Sequence, residues 1–257
     1  MSALETLLRS DVDYFRLGAE IRPLPGGGEL YWMPGCQGLA AGCVAVHVPR
    51  TAEDAPEPWI AGLEAAVRAV GAPLARLYLQ SEQPRLGAAL ASRGYAKKVE
   101  SAFLSAVQRP AATVEGVIRP VETARDWEEA LLVFQEGEDG PDGYANRAEM
   151  WLELIQRKCG SGQLSYGLIE DGEGVAGTVG WMVYPGMVRL KNLTLRPSRR
   201  GNGTGAAVVE HFNGWSGMSG RLLGMFGIEA SAGAQLYAKA GMVVAGSQEE
   251  WSKWLVD

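Results

Sequence analysis

Apolar residues change period along this chain, and the changes mark out alternating strands and helices. Short apolar runs at 30–33, 43–48 and 74–79 predict strands. Between them Ile60, Leu63, Ala66 and Val67 recur at helical spacing, so 56–70 predicts a helix with Pro58 in its first turn. A helix over 84–93 is stopped by Gly94, and a strand follows over 99–107. The alternation resumes with a strand at 116–121 and helices over 126–134 and 147–158; Trp127, Leu131 and Phe134 share a face of the first. Runs at 164–169 and 174–184 predict a hairpin across Asp171 and Gly172. Residues 187–195 and 221–228 predict further strands. Ser231 is a fair N-cap and Gly241 a fair stop for a helix whose inner face carries Gly233, Leu236, Tyr237 and Ala240. Residues 242–255 close the chain as a strand or hairpin.

The stretch from Leu193 to Val209 carries the candidate chemistry. Leu193 and Leu195 alternate with polar neighbours, as in a half-buried strand, and Pro197 ends the pairing. Gly201, Gly203 and Gly205 let the backbone approach a ligand closely. Gly205, Val208, Val209 and Phe212 then fall on one helical face. A helix N-terminus offers unpaired N–H groups and a partial positive charge, and Arg199 and Arg200 stand beside it. Together they suit a phosphate or pyrophosphate. An ordinary glycine-rich turn is the plain alternative. A nucleotide P-loop needs Gly-Lys-Ser/Thr, which Ala206 and Ala207 exclude. Gly201, Gly203 and Ala206 fit a dinucleotide fingerprint, but too little chain follows for that fold.

Arg200-x-x-Gly203-x-Gly205, preceded by Pro197, resembles the acyl-CoA loop of the GNAT acetyltransferase superfamily. Ala234-Gln235-Leu236-Tyr237-Ala238-Lys239-Ala240-Gly241-Met242 is similar to a second segment of that family, with Met242 replacing the usual aromatic. The resemblance covers roughly 114–257. It implies an α/β (α+β) fold, a mixed and centrally splayed sheet with helices on both faces. It also implies an acyl-CoA donor, most simply acetyl-CoA, and the primary amine of a small or amino-acid-like molecule as acceptor. On that resemblance the backbone of Leu193, Thr194 and Leu195 would hold the pantetheine arm and the thioester carbonyl. Arg199, Arg200, Gly201, Asn202, Gly203, Thr204 and Gly205 would hold the pyrophosphate. Tyr237 would protonate the departing thiolate, or only pack on its helix. No carboxylate stands on residues 188–192 to serve as general base. Glu136 and Glu138, with Asp139 and Asp142, form an acidic loop that could draw a cationic amine or could simply be solvated. Glu229 is a weaker candidate. An acyl-CoA-sensing module without turnover and an acyl-CoA decarboxylase on the same scaffold remain as other readings.

Residues 90–95 echo 236–242, which suggests duplication. The expected division is a degenerate GNAT-like domain at 1–110, a linker at 109–113, and the acyl-CoA domain at 114–257. In the first half the position equivalent to the loop has no glycine but carries Glu53 and Asp54, so it should reject a pyrophosphate. An unrelated small α/β domain is the alternative.

Composition narrows the partners. At 257 residues, 47% hydrophobic and 21% charged, the chain suits one large domain or two small ones. A net charge of −6 argues against nucleic acid and against a cationic membrane surface. Cys36, Cys43 and Cys159 lack metal-ligand spacing and read as buried free thiols. His47 and His211 are too few for a metal site or a triad, so no metal is expected. No basic segment with an apolar core opens the chain, and no long apolar run occurs, so a cytoplasmic protein is expected.

Overall fold

The computed structural model describes residues 1–105, 118–137 and 145–255. The first elements are α1 (Ala3–Arg16), β1 (Glu20–Pro23), β2 (Glu29–Trp32), β3 (Cys43–Val46), α2 (Thr51–Asp54), α3 (Pro56–Ala69), β4 (Leu74–Leu79), α4 (Pro84–Ser92) and β5 (Ala96–Ser105). Then come β6 (Ile118–Pro120), α5 (Ala124–Gln135), α6 (Ala148–Cys159), β7 (Ser165–Asp171), β8 (Gly174–Tyr184) and β9 (Met187–Leu195). The chain closes with α7 (Thr204–Met218), β10 (Leu222–Ile228), α8 (Ala232–Lys239) and β11 (Met242–Trp254). The expected elements are present, and the expected final strand or hairpin is a single strand. Three elements went unread from the pattern: α1, β1 and the short α2. Linker residues 109–113, with Glu138, Asp139 and Asp142 of the acidic loop, lie outside the described residues.

The chain forms two compact units whose segments interleave. The loop-bearing unit comprises Met1–Ser10 and Ser101–Gly246; the companion unit comprises Asp11–Glu100 and Ser247–Asp257. This grouping differs from a simple division between residues 110 and 114. At the amino end the first part of α1 groups with the loop-bearing unit and its remainder with the companion unit. The second part of β11 pairs antiparallel with β4, Glu249 opposite Leu79 through Trp254 opposite Leu74, and so belongs with the companion unit.

In the loop-bearing unit the strand order is β5-β10-β9-β8-β7-β6. Strands β6 through β9 form an antiparallel meander, and β9 pairs parallel with β10. A parallel neighbour needs a crossover, and α7 supplies it. Val208, Val209 and Phe212 of α7 pack against Val188, Leu190, Leu223 and Met225. Met187, beside Val188 in sequence and therefore on the opposite face, packs instead with Leu7 of α1 and Leu104. Helices thus cover both faces of this mixed sheet.

The companion unit repeats the scheme in the order β1-β2-β3-β4-β11. Strands β1 to β3 are antiparallel, β3 pairs parallel with β4, and α3 is the crossover. Ile60, Leu63, Ala66 and Val67 of α3 are buried against Ala45, Leu77 and Trp251. Helix α4 ends at Gly94 (φ +83°) as α8 ends at Gly241 (φ +78°), left-handed positions that suit glycine.

Candidate functional site

The site is built where β9 leaves its neighbours. Its ladder with β10 covers only Met187, Val188 and Arg189 against Leu222, Leu223 and Gly224. Among the described residues, β9 has no strand partner on that side from Leu190 to Leu195. On its other side the pairing with β8 slips between Thr178 and Gly180, and Asn192 takes φ +52°. That bulge turns Leu193–Thr194–Leu195 and sharpens the local twist. Gly177 is required opposite it, since a Cβ there would lie 2.2 Å from the Thr194 carbonyl oxygen. The three residues expected to hold a pantetheine arm therefore sit on a bulged strand that has parted from its parallel neighbour.

The loop after β9 is held by its own backbone and by ion pairs. The Arg196 N–H donates to the Ala176 carbonyl at 2.9 Å, and Pro197–Arg199 forms one 3₁₀ turn. Gly201 (φ +81°) and Gly203 (φ +96°) follow, and nothing lies within 4 Å of a Cβ at either position. Glycine is needed there for its backbone angle, not for space. Gly203 is the N-cap of α7 and offers no side chain to the helix. Asn202 Oδ1 accepts from the Thr204 N–H at 3.2 Å and from its hydroxyl at 2.7 Å. The remaining first-turn N–H groups have no intrahelical acceptor and keep the positive end of the helix. Gly205 lies against Leu236 of α8, 3.1 Å from where its Cβ would be.

The arginines are not equivalent. Arg196 pairs with Glu136, the C-cap residue of α5, with Glu129 at 4.0 Å. Arg199 pairs with Glu173 and stands 3.7 Å from Asp171. Arg200 is exposed and donates from Nε to the Leu195 carbonyl at 3.2 Å. Two of the three cations thus fasten the loop to neighbouring elements, and Arg200 is the one best placed to meet an anion. This bears on Glu136: its carboxylate anchors Arg196, which competes with the expected attraction of an amine. Glu138 lies outside the described residues.

Tyr237 is on α8, which begins as expected with Ser231 capping the Ala234 N–H at 3.1 Å. No residue of α8 is fully buried, so the expected inner face is only half covered. The Tyr237 ring stands edge-on to Phe103, centroids 5.5 Å apart, and against Gly227 of β10. Burial raises the phenol above its ordinary pKa, and the positive charge of Arg189 opposes the rise. Arg189 was not read as a site residue. It is buried on β9, donates from Nε to Ser10 Oγ at 3.1 Å, and lies 4.9 Å over the Phe226 ring. Its only sequence signal was an arginine among the apolar residues of β9. Its partner Ser10 is too distant in sequence to predict.

The other candidates fall away from this site. His211 is half-buried, with its ring edge-on to Phe212 at 5.4 Å. Glu229 is exposed beyond the end of β10. The cysteines are free, and burial pushes the Cys43 and Cys159 thiols up to about 12. Among the described residues no cluster of ligating side chains could hold a metal ion, and no helix is long and apolar enough to cross a membrane.

A splayed parallel strand pair thus leads through a glycine loop into the N-terminus of α7. No protein-family profile and no curated protein matches this sequence. Solved structures do match. A GCN5-related N-acetyltransferase from Kribbella flavida aligns over 98% of this chain and 96% of its own, with TM-score 0.65 and 12% identity. One from Sphaerobacter thermophilus aligns over 90% and 77%, with TM-score 0.59 and 15% identity. A functionally unknown conserved protein from Staphylococcus epidermidis aligns over 93% and 96%, with TM-score 0.72 and 12% identity. The chain has the GNAT fold.

Proposed function

We propose that the protein is an acyl-CoA-dependent N-acyltransferase, most simply an acetyltransferase acting in the cytoplasm on the primary amine of a small or amino-acid-like molecule. The observation that supports this best is the parting of β9 from β10 immediately before an uncapped, glycine-entered helix N-terminus. The first-turn N–H groups of α7 beyond Thr204, the Gly201–Gly203 turn and Arg200 suit a pyrophosphate. The strand edge from Leu193 to Leu195 suits an extended amide-bearing arm and can place a backbone donor at the reacting carbonyl. In the reaction the amine nitrogen attacks the thioester carbon, the C–S bond breaks, and the sulfur takes a proton. Tyr237 supplies that proton, and the proton lost by the attacking nitrogen passes to water and restores the phenol. Its raised pKa keeps it protonated through neutral and mildly alkaline pH. The companion unit is read as a degenerate copy of the same scaffold.

The test is a screen of primary amines with acetyl-CoA and a free-thiol readout. Tyr237→Phe should lower kcat roughly tenfold to hundredfold with acetyl-CoA affinity nearly unchanged. At saturating amine, wild-type kcat should show no fall from tyrosine ionisation below about pH 10, because the folded pKa lies above the ordinary value near 10. Acetyl-CoA binding with no thiol release from any amine would support a sensor instead. Thiol release without an N-acyl product would support hydrolysis; decarboxylation would show instead as CO₂ loss from a β-carboxyacyl-CoA with no thiol released.

A further inference from the structure

Strand β10 carries two glycines in seven residues. Glycine weakens a strand, and inside one it marks a bulge or a close approach by another part of the chain. Here both glycines mark close approaches, one on each face of the sheet. A Cβ at Gly224 would lie 2.9 Å from Met187 Sδ and 3.1 Å from Leu7 Cδ1. A Cβ at Gly227 would lie 3.2 Å from the Ala234 Cα, 3.2 Å from Tyr237 Cε2 and 3.3 Å from the Ala234 Cβ. The backbone of Gly227 is outside the left-handed region, so a residue with a side chain can adopt it. What this position requires is the missing side chain alone.

Gly227 lies beyond Gly224, the last residue of β10 that pairs with β9. It therefore belongs to the stretch that borders the opening between the two strands. Helix α8 lies directly on it. The Tyr237 ring is bounded by that bare Cα and by Phe103, whose ring stands edge-on to it with centroids 5.5 Å apart.

The two elements that meet at Gly227 are held with different firmness. Strand β10 is gripped from both faces. Leu223 and Met225 are buried in the cluster that holds α7, and Gly224 is covered from the other side. Helix α8 is only eight residues long, has no fully buried residue, and follows Ala230, a non-glycine residue at φ +62°. A methyl group at position 227 would therefore be met by α8 moving outward by a few tenths of an ångström, while β10 stays in place. The ring would rise with the helix, and its hydroxyl would shift from its place beside the opening.

We propose that Gly227 is a positioning residue for Tyr237: its bare Cα sets how deeply α8 lies on β10, and with it the place of the phenol beside the opening. Phe103 fixes the same ring from the side. This role rests on the reading of Tyr237 as the acid of the proposed transfer, and Gly227 acts only through the tyrosine.

The experiment compares Gly227→Ala with wild type in the full chain by two measurements. One is turnover of acetyl-CoA with the most active primary amine of the screen. The other needs no substrate: a ¹³C NMR titration of the chain labelled at tyrosine Cζ, with Tyr237→Phe assigning the signal. The kcat should fall roughly tenfold, with the KM for acetyl-CoA within about twofold of wild type. In the Tyr237→Phe background the same substitution should change kcat by less than about twofold, because the group it displaces is gone. Burial is the larger influence on the phenol and holds its pKa up, so lifting the ring should move the titration down toward the ordinary value near 10. Phe103→Leu removes the lateral contact without adding bulk to β10; it should give the same pattern and serves if Gly227→Ala does not fold. A chain that acylates no amine would remove the acyltransferase reading, and the titration would then decide for or against Gly227. Unchanged kcat in a folded variant, a loss of the same size in the Tyr237→Phe background, or an unmoved titration would overturn the proposal.

Discussion

The two strand–loop–helix junctions of this chain share a scaffold and differ in chemistry. In each, an antiparallel meander leads to a strand that pairs briefly in parallel and then diverges: β9 from β10 after three residue pairs, β3 from β4 after one. In each, a helix crosses over afterwards, α7 after β9 and, beyond the short α2, α3 after β3. After β9 the helix is entered through Gly201 and Gly203 with positive φ and bare N–H groups. After β3 it is entered through Pro56, Glu57 and Pro58. The comparison separates two properties that sequence families usually merge. Parting the parallel strands makes a crevice; only glycines and free N–H groups make that crevice accept a pyrophosphate.

Gly203→Asp should break the comparison most severely. The side chain has open space but the φ of +96° strains an aspartate, so some stability should be lost while the carboxylate stands at the mouth of α7. Acetyl-CoA affinity should fall roughly 100-fold, about 3 kcal/mol, measured by calorimetry with a circular dichroism check on folding. Unchanged affinity would remove the loop from the site. Arg200→Ala should cost less, roughly tenfold, as one exposed charge-assisted contact is lost. Arg199→Ala should affect thermal stability more than Arg200→Ala does, because Arg199 joins the loop to Asp171 and Glu173. At the companion junction, Glu57→Gln with Pro58→Ala should leave acetyl-CoA affinity and stoichiometry unchanged. A second site appearing there would mean that Glu57 and Pro58 alone had closed it.

Much of this was legible in local pattern. Strands β4, β8 and β9 lie at the expected residues because each is a continuous apolar or alternating run between clear stops. The Ser231 cap and the Gly241 stop were legible because both signals are local. Helix α1 was not read, although Ser2 and Glu5 form a reciprocal cap at its start. Its apolar stripe is interrupted by buried Ser10 and Asp11, whose partners Arg189 and Gln248 are 179 and 237 residues away. Strand exchange was hidden for the same reason: the pattern of β11 predicts a strand but not which strand it joins. The loop glycines and Tyr237 could be named from their spacing. The anchoring of Arg196 by Glu136 could not, since it depends on where α5 ends in space.

The most direct measurement is a calorimetric titration of the full chain with acetyl-CoA. The account predicts one site per chain, lost in Gly203→Asp and retained in the Glu57→Gln, Pro58→Ala variant. Two sites per chain, or a single site indifferent to Gly203→Asp, would contradict it.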